Sequence, residues 1–181
     1  MDSMWAIPEA IIDCHWLKDR YDRQDIRIYD CTSYLHYTDE HPSQPYDVVS
    51  GFDNYCRSHI PNAAFLDLQQ DLSENNSPYS FTIPALHDLA ERFKKQGVGE
   101  PFHIILYSAN GMQWATRIWW MLYAAGYQRV SILNGGFAAW QEAGLPTQES
   151  ITKWEPAEFE ARPKLNIFVG KQRVLDAIAD E

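Results

Sequence analysis

Apolar residues along this chain form two alternating patterns, short strand-like segments and helical stripes. The segment at 104–107 is a continuous apolar run followed by small residues, and the short segments at 26–30, 64–67 and 130–133 are rich in apolar residues, which predicts strands at all four. Between them, apolar positions recur at helical spacing. Strands that alternate with helices indicate an α/β fold whose mostly parallel sheet is covered on both faces.

The clearest helical stripe consists of Ala115, Ile118, Trp119 and Leu122, which lie three or four positions apart. Similar patterns predict further helices at residues 11–20, 51–57, 85–96 and 136–143. Two segments rich in polar residues and proline, 34–47 and 71–84, are predicted to be loops.

A loop of mostly small residues joins the strand at 104–107 to the helix that begins near Trp114. Its members are Ser108, Ala109, Asn110, Gly111, Met112 and Gln113. A loop at a helix N-terminus directs backbone N–H groups towards a pocket, and such pockets favour anions.

This loop, together with the segments at 59–67 (HIPNAAFLD) and 133–140 (LNGGFAAW), resembles the rhodanese superfamily. Residues 117–122, RIWWML, are similar to the N-terminal half of tandem-domain sulfurtransferases, the thiosulfate and 3-mercaptopyruvate enzymes. The resemblance covers residues 5–150 and implies an α/β, rhodanese-like fold with a central, mostly parallel five-stranded sheet and helices on both faces. It also implies that the N-terminal domain is the inactive copy and that the second domain carries the reactive cysteine.

The active form of the loop begins with cysteine, because sulfur transfer needs a thiolate that attacks a sulfane sulfur and then carries it as a persulfide. Here the matching residue is Ser108. A serine hydroxyl does not ionise near neutral pH without a base. We therefore expect Ser108 to bond its own backbone or a water, and we expect no catalytic residue in this chain.

The resemblance divides the chain into three parts. Residues 5–146 are predicted to form the rhodanese-like domain, and residues 147–166, with Pro156 and Pro163, an interdomain linker. Residues 167–181 are predicted to be the first helix of a second, truncated domain. The alternative is a natural protein of this length whose tail folds back on its single domain.

Three further positions bear on the substrate. Trp114 is either a residue of the interdomain cleft or a plain core aromatic. Gln69 and Phe81 occupy places where the mercaptopyruvate enzymes resemble one another in carrying an aspartate and a histidine. This pair predicts that a proton relay is absent, which favours thiosulfate or an unknown sulfur donor over mercaptopyruvate.

Five charged or titratable residues invite a catalytic role, yet a structural role is favoured for most of them. His59 belongs to a His-Ile-Pro turn, where the imidazole is expected to bond backbone. Arg57 and Arg117 are cationic, but Arg117 is expected to pair with an acid or a carbonyl. Asp30 and Asp67 end strands and are expected to fix loops through Asx-type bonds.

Composition excludes several classes of protein. A net charge of −10 argues against nucleic acid, and no apolar run is long enough for a membrane helix. Cys14, Cys31 and Cys56 lack the spacing of a metal site, so reduced thiols, no metal and no cofactor are expected. Cys31, at a strand end, is not expected to be reactive. Without a secretory leader, a cytoplasmic location is expected.

Two functions remain in view. The first is a sulfurtransferase whose donor and acceptor bind through the missing C-terminal domain, this chain being inactive alone. The second is a stand-alone degenerate rhodanese domain that binds an anion or a protein. The reading frame after Glu181 separates them. If the isolated chain exposes the apolar face that a second domain would cover, a homodimer is expected.

Overall fold

The computed structural model describes residues 7–40, 45–164 and 167–180. Residues 5, 6, 165, 166 and 181, which belong to the predicted domain segments, lie outside the described residues. So do residues 41–44 of the predicted loop at 34–47.

The described part of the chain contains seven strands in two sheets. They are β1 (Ile11–Ile12), β2 (Ile26–Asp30), β3 (Ser33–Tyr37), β4 (Tyr46–Ser50), β5 (Ala63–Phe65), β6 (His103–Tyr107) and β7 (Val130–Leu133). Five strands form the main sheet in the order β1-β7-β6-β2-β5, and every pairing in it is parallel. The predicted five-stranded α/β architecture is confirmed.

Helices lie between the strands. After a short 3-10 helix (Pro8–Ala10), they are α1 (Cys14–Lys18), α2 (Phe52–Arg57), α3 (Leu86–Lys95), α4 (Gln113–Ala125), α5 (Gly136–Glu142) and α6 (Lys171–Ala179). The predicted helices α2, α3 and α5 are confirmed, and each predicted end agrees with the structure to within one residue. The predicted start of α4 near Trp114 is confirmed as well. Among the described residues, no helix has the length and apolar character needed to cross a membrane.

Side chains of alternate strand residues pack into two separate cores, one on each face of the main sheet. Ile104 and Leu106 of β6 pack with α3 and α4, while Ile105 and Tyr107 pack on the other face with α1 and α5. The first core is completed by Phe159, which follows the rhodanese-like segment and is only 7% exposed. Burial on both faces explains why four successive residues of β6, 104–107, are apolar or aromatic.

The helix predicted at 11–20 is wrong at its start and too long. Ile11 and Ile12 pair with Ile132 and Leu133 as an edge strand of the main sheet. The helix begins only after Asp13, whose carboxylate accepts a hydrogen bond from the Trp16 N–H at 2.8 Å. This cap ends the strand and starts the helix.

The loop predicted at 34–47 is also wrong. Residues on both sides of its undescribed centre form the antiparallel pair of β3 and β4, with Tyr34 opposite Val49 and Leu35 opposite Val48. The pair stands apart from the main sheet and is half-exposed. Its mixture of aromatic, histidine and polar residues hid the strand pattern.

The segment predicted as a linker lies along the domain in the described residues. Gln148 pairs with His59, Thr152 with Ala64, and Glu158 with Glu100 through isolated bridges. The side chains of Ala157 and Phe159 are buried. The helix α6 follows with no buried residue.

Candidate functional site

The loop after β6 lies at the point where the order of the main sheet reverses. From β2 the chain adds β5 on one side and then returns to place β6 on the other. Asp30, the last residue of β2, is in register with Tyr107, the last residue of β6. In open parallel sheets, ligands bind beyond the carboxyl ends of the strands at such a point. The loop at 108–113 therefore occupies the fold's natural binding position.

Ser108, the first residue of this loop, is 3% exposed. Its Oγ accepts a hydrogen bond from the backbone N–H of Ala115 at 3.1 Å. Ala115 lies in the first turn of α4, where N–H groups lack partners within the helix. The hydroxyl thus caps α4, as expected for a serine that bonds backbone.

The rest of the loop is held by one side chain and one backbone carbonyl from the two residues that follow Cys31. The Ala109 N–H donates to Thr32 Oγ1 at 2.9 Å, and the Asn110 amide donates to the Ser33 carbonyl at 2.7 Å. Gly111 has a φ of 119°, and the Gln113 amide lies where a side chain at Gly111 would stand. The Ala109 N–H is therefore already hydrogen-bonded within the protein, and the Gln113 side chain covers Gly111.

The corner after β7 closes the loop from the other side. The Phe137 N–H donates to the Ser108 carbonyl at 3.1 Å. Gly136 has a φ of 58°, and a Cβ there would collide with the same carbonyl. Glycine is required at this position for both reasons.

A buried polar cluster supports the loop from below. Asp30 is 3% exposed and accepts hydrogen bonds from the N–H and hydroxyl of Thr32, as the Asx-type prediction requires. Burial raises the pKa of the Asp30 carboxyl, although the bonds from Thr32 partly oppose this. Burial also raises the pKa of the Tyr107 phenol, which neighbours the same carboxyl.

His59 is fully buried beside this cluster. Its Nδ1 lies 2.7 Å from the Tyr55 carbonyl, and the two rings stack with centroids 3.9 Å apart. The prediction of a backbone-bonded imidazole is confirmed. The other nitrogen of the ring, Nε2, is buried without a hydrogen-bond partner.

The remaining polar candidates also make structural contacts. The Asp67 carboxylate accepts from the N–H groups of Gln69 and Gln70, both at 2.9 Å, so the predicted Asx-type bond is confirmed. Arg117 donates to the Phe81 carbonyl at 3.3 Å, as predicted for a carbonyl partner. Its guanidinium also lies 5.1 Å from the centre of the Phe168 ring.

Trp114 is 7% exposed and belongs to the core beneath α4. Its ring centre lies 5.3 Å from that of Phe81. In the described residues Trp114 therefore packs as a core aromatic, and a place in an interdomain cleft stays a prediction. Phe81 itself has a φ of 58°, which is unusual for a bulky residue.

Two of the three cysteines, Cys31 and Cys14, lie in surroundings that disfavour the thiolate. Cys31 is fully buried, and burial raises the pKa of its thiol well above the ordinary value. Burial likewise raises the pKa of Cys14, which is half-buried. Since the thiolate is the reactive form, both shifts lower reactivity. The described residues hold no cluster of three or more side chains suited to a metal ion.

A pocket of about 260 Å³ lies beside the loop and reaches Asp30, Thr32 and Ala109. Arg57 also lines this pocket and supplies a positive charge there. Sequence reasoning missed the part played by Thr32, whose hydroxyl links Asp30 to the loop. The available signal was a threonine two residues after a strand-ending aspartate, which is typical of a local Asx or ST turn.

The family model described as the Rhodanese-like domain matches residues 13–143. This chain belongs to the rhodanese family. The match covers every strand of the main sheet except β1, the loop after β6 and the corner after β7. Ser108 therefore stands in a rhodanese loop.

Individual rhodanese relatives match the chain over most of its length. Human 3-mercaptopyruvate sulfurtransferase is 33% identical over 159 residues, covering 84% of this chain and 50% of that protein. Mouse thiosulfate sulfurtransferase is 31% identical over 124 residues, covering 67% of this chain and 41% of that protein. The chain spans about half the length of these curated relatives.

A solved rhodanese structure agrees with the fold. SseA from Escherichia coli, described with the 3-mercaptopyruvate sulfotransferases, is 29% identical and superposes with a TM-score of 0.76. The match covers 94% of this chain and 62% of that one.

Proposed function

We propose that this rhodanese chain is the non-catalytic N-terminal half of a two-domain sulfurtransferase. The observation that carries the proposal is Ser108, whose hydroxyl caps α4 at the place where a nucleophile would stand. The chain's match to about half of each curated relative supports the same view. The full protein would transfer sulfane sulfur from thiosulfate or 3-mercaptopyruvate to cyanide or a thiol.

The chemistry explains why a second domain is needed. A thiolate attacks the outer sulfur of thiosulfate, forms an S–S bond as a persulfide and releases sulfite. Cyanide then attacks the terminal sulfur, leaves as thiocyanate and restores the thiolate. A hydroxyl ionises too weakly for the first step, and Cys31 is sealed in the core. The reactive thiolate would therefore come from the second domain.

Gln69 and Phe81 bear on the sulfur donor. In the resemblance to mercaptopyruvate enzymes, an aspartate and a histidine stand at these places and form a proton relay. An amide and a phenyl ring do not exchange protons near neutral pH. This pair supports thiosulfate, or another sulfur donor, over 3-mercaptopyruvate.

A second candidate is a stand-alone degenerate rhodanese domain that binds an anion or a protein without turnover. The pocket beside the loop favours it, because Arg57 supplies a positive charge there. The two candidates differ in the reading frame after Glu181. A downstream rhodanese loop that begins with cysteine supports the first, and a stop codon supports the second.

The direct test is an assay of the 181-residue chain with thiosulfate and 3-mercaptopyruvate as donors and cyanide as acceptor. We expect no thiocyanate above the protein-free rate. Intact mass after incubation with thiosulfate is expected to show no added sulfur. Turnover with a persulfide on Cys14, Cys31 or Cys56 would overturn the proposal.

We also propose that the isolated chain forms a homodimer through α6. Its apolar residues Val174, Leu175 and Ile178 are 48%, 46% and 71% exposed. Sedimentation is expected to show a dimer that dissociates in the variant Ile178→Glu. The matched control is Arg173→Glu, an exposed position on the same helix away from these three apolar residues. A wild-type monomer at high concentration contradicts the proposal.

A further inference from the structure

A pocket of about 330 Å³ lies at the edge of the main sheet, where residues 151–154 run beside β5. One parallel bridge, between Ala64 and Thr152, joins the two segments. We call this the edge pocket. Its size falls at the lower end of the range found for small-molecule sites. It is separate from the loop at 108–113, which contributes no residue to its lining.

The walls of the edge pocket are largely apolar. Phe52, Phe65, Ile151 and Trp154 line it. Phe52 is 40% exposed and Ile151 is 53% exposed. The rings of Phe52 and Phe65 meet edge to face with centroids 5.4 Å apart. Grouped exposed apolar side chains mark surfaces that bind another molecule.

Two lysines converge on the same pocket from different elements. Lys95 ends α3, and Lys153 lies in the segment beside β5. Neither ammonium has a hydrogen bond or ion pair with a described residue, whereas the neighbouring Lys94 pairs with Glu158 at 3.3 Å. No acidic residue is among the pocket's lining. The lining of the edge pocket is therefore positively charged, although the chain as a whole has a net charge of −10.

A second pocket limits the charge of the ligand. It shares Phe52, Phe65 and Lys153 with the edge pocket, and it adds the carboxylates of Asp53, Asp67 and Asp71. A ligand with a second negative group reaching across the shared wall would meet these carboxylates. The favoured ligand therefore carries one negative charge at one end.

We propose that the edge pocket binds a small amphipathic monoanion, an aromatic or aliphatic carboxylate or sulfonate. The anionic group lies between Lys95 and Lys153, and the apolar body lies against Phe52 and Ile151. Lys95 belongs to the rhodanese domain and Lys153 to the segment that follows it. A bound anion thus fastens that segment to the sheet edge. This site goes beyond sulfur transfer and does not depend on it.

The test uses 8-anilinonaphthalene-1-sulfonate, an aromatic sulfonate that fluoresces in apolar sites. We expect saturable binding to the 181-residue chain, about threefold weaker in Lys95→Met and about tenfold weaker in the double variant with Lys153→Met. Higher salt is expected to weaken binding further. Octanoate is expected to displace the probe at concentrations where octanol does not. Backbone NMR shifts on binding are expected at Gln96 and Thr152.

The matched control is Lys94→Met, one residue from Lys95 but paired with Glu158. Its affinity for the probe is expected to equal that of the wild type. The proposal is overturned if saturable binding is absent, if the double variant binds as the wild type does, or if Lys94→Met loses as much affinity. Equal displacement by octanol and octanoate also overturns it. None of these outcomes changes the sulfur-transfer assay, so the two proposals fail separately.

Discussion

The side-chain Oε1 of Gln69 accepts a hydrogen bond from the backbone N–H of Phe81 at 2.9 Å. The two positions that the family resemblance links to a proton relay are thus in contact, but the contact is structural. The bond holds Phe81 in its positive-φ conformation, with its ring against Trp114. Gln69 therefore organises the loop between β5 and α3.

Replacing this amide is expected to loosen the loop. Gln69→Ala removes the acceptor and leaves a half-buried N–H without a partner, which costs about 1 kcal/mol of the free energy of unfolding. Gln69→Glu keeps an acceptor oxygen and is expected to lose less. Urea unfolding measures both variants. Equal stability of Gln69→Ala and the wild type would show that the bond is not formed in solution.

Restoring a thiol in the loop is not expected to restore chemistry. In Ser108→Cys the sulfur remains buried, so iodoacetamide cannot reach it readily even though the first turn of α4 offers it the Ala115 N–H. We expect slow alkylation by iodoacetamide, followed by intact mass and peptide mapping. Gln113→Cys, at an exposed position in the same loop, is the control and is expected to react quickly. Rapid alkylation of the cysteine at 108, or thiocyanate production, would contradict this expectation.

We expect Arg27 to stabilise the packing of the segment around Glu155 against the domain. Its guanidinium donates to the carbonyls of Gly97 and Glu155 and lies 3.6 Å from the centre of the Phe102 ring. Arg27→Met leaves both carbonyls without this donor, with an expected loss of about 3 kcal/mol in urea unfolding. Trypsin is expected to cleave faster after Lys153.

The control for Arg27 is Arg129→Met. Arg129 also donates to a carbonyl, that of Pro101, but it is exposed. We expect a loss below about 1 kcal/mol for this variant. Similar losses in the two variants would mean that burial does not set the strength of the Arg27 contacts.

His103 is expected to make stability depend on pH. Burial lowers the pKa of its imidazole, and Arg129 lowers it further. A folded pKa below the unfolded value, about 6.5, gives stability that is present above that value and lost as the pH falls through the folded pKa. His103→Gln is expected to flatten the decline in the free energy of unfolding that begins as the pH falls below about 6.5.

The glutamine amide at position 103 retains a partner for the Ser131 hydroxyl, which lies 2.9 Å from the imidazole. His87→Gln serves as the control because that side chain is 82% exposed. Its pH profile is expected to follow the wild type. If the free energy of unfolding of the wild type, His103→Gln and His87→Gln depended on pH in the same way, His103 would not be the cause of the decline.

Sequence patterns predicted the parts of the fold that burial determines. Residues 26–30 and 130–133 are strands with the predicted bounds, and every residue of both strands is buried. The half-exposed strands β3 and β4 were missed because each has one open face and a polar composition. Ile11 and Ile12 depart from the predicted helix because the cap at Asp13 starts α1 only after them.

The site was predictable where it depends on local chemistry. Ser108 follows β6 as expected, and its bond to a backbone N–H is a general property of serine near a helix start. The support from Thr32, 77 residues from Ala109 in the chain, depends on how two strands are paired in the sheet. Local sequence carries little information about such a contact.

The contact between Gly136 and the Ser108 carbonyl separates the shape of this loop from its reactivity. The carbonyl and Phe137 are joined through backbone atoms, and backbone atoms do not depend on which side chain stands at position 108. A substitution that removed a nucleophile there would leave the loop folded. The fold of this loop is therefore set by backbone contacts that hold it with or without a reactive side chain at position 108.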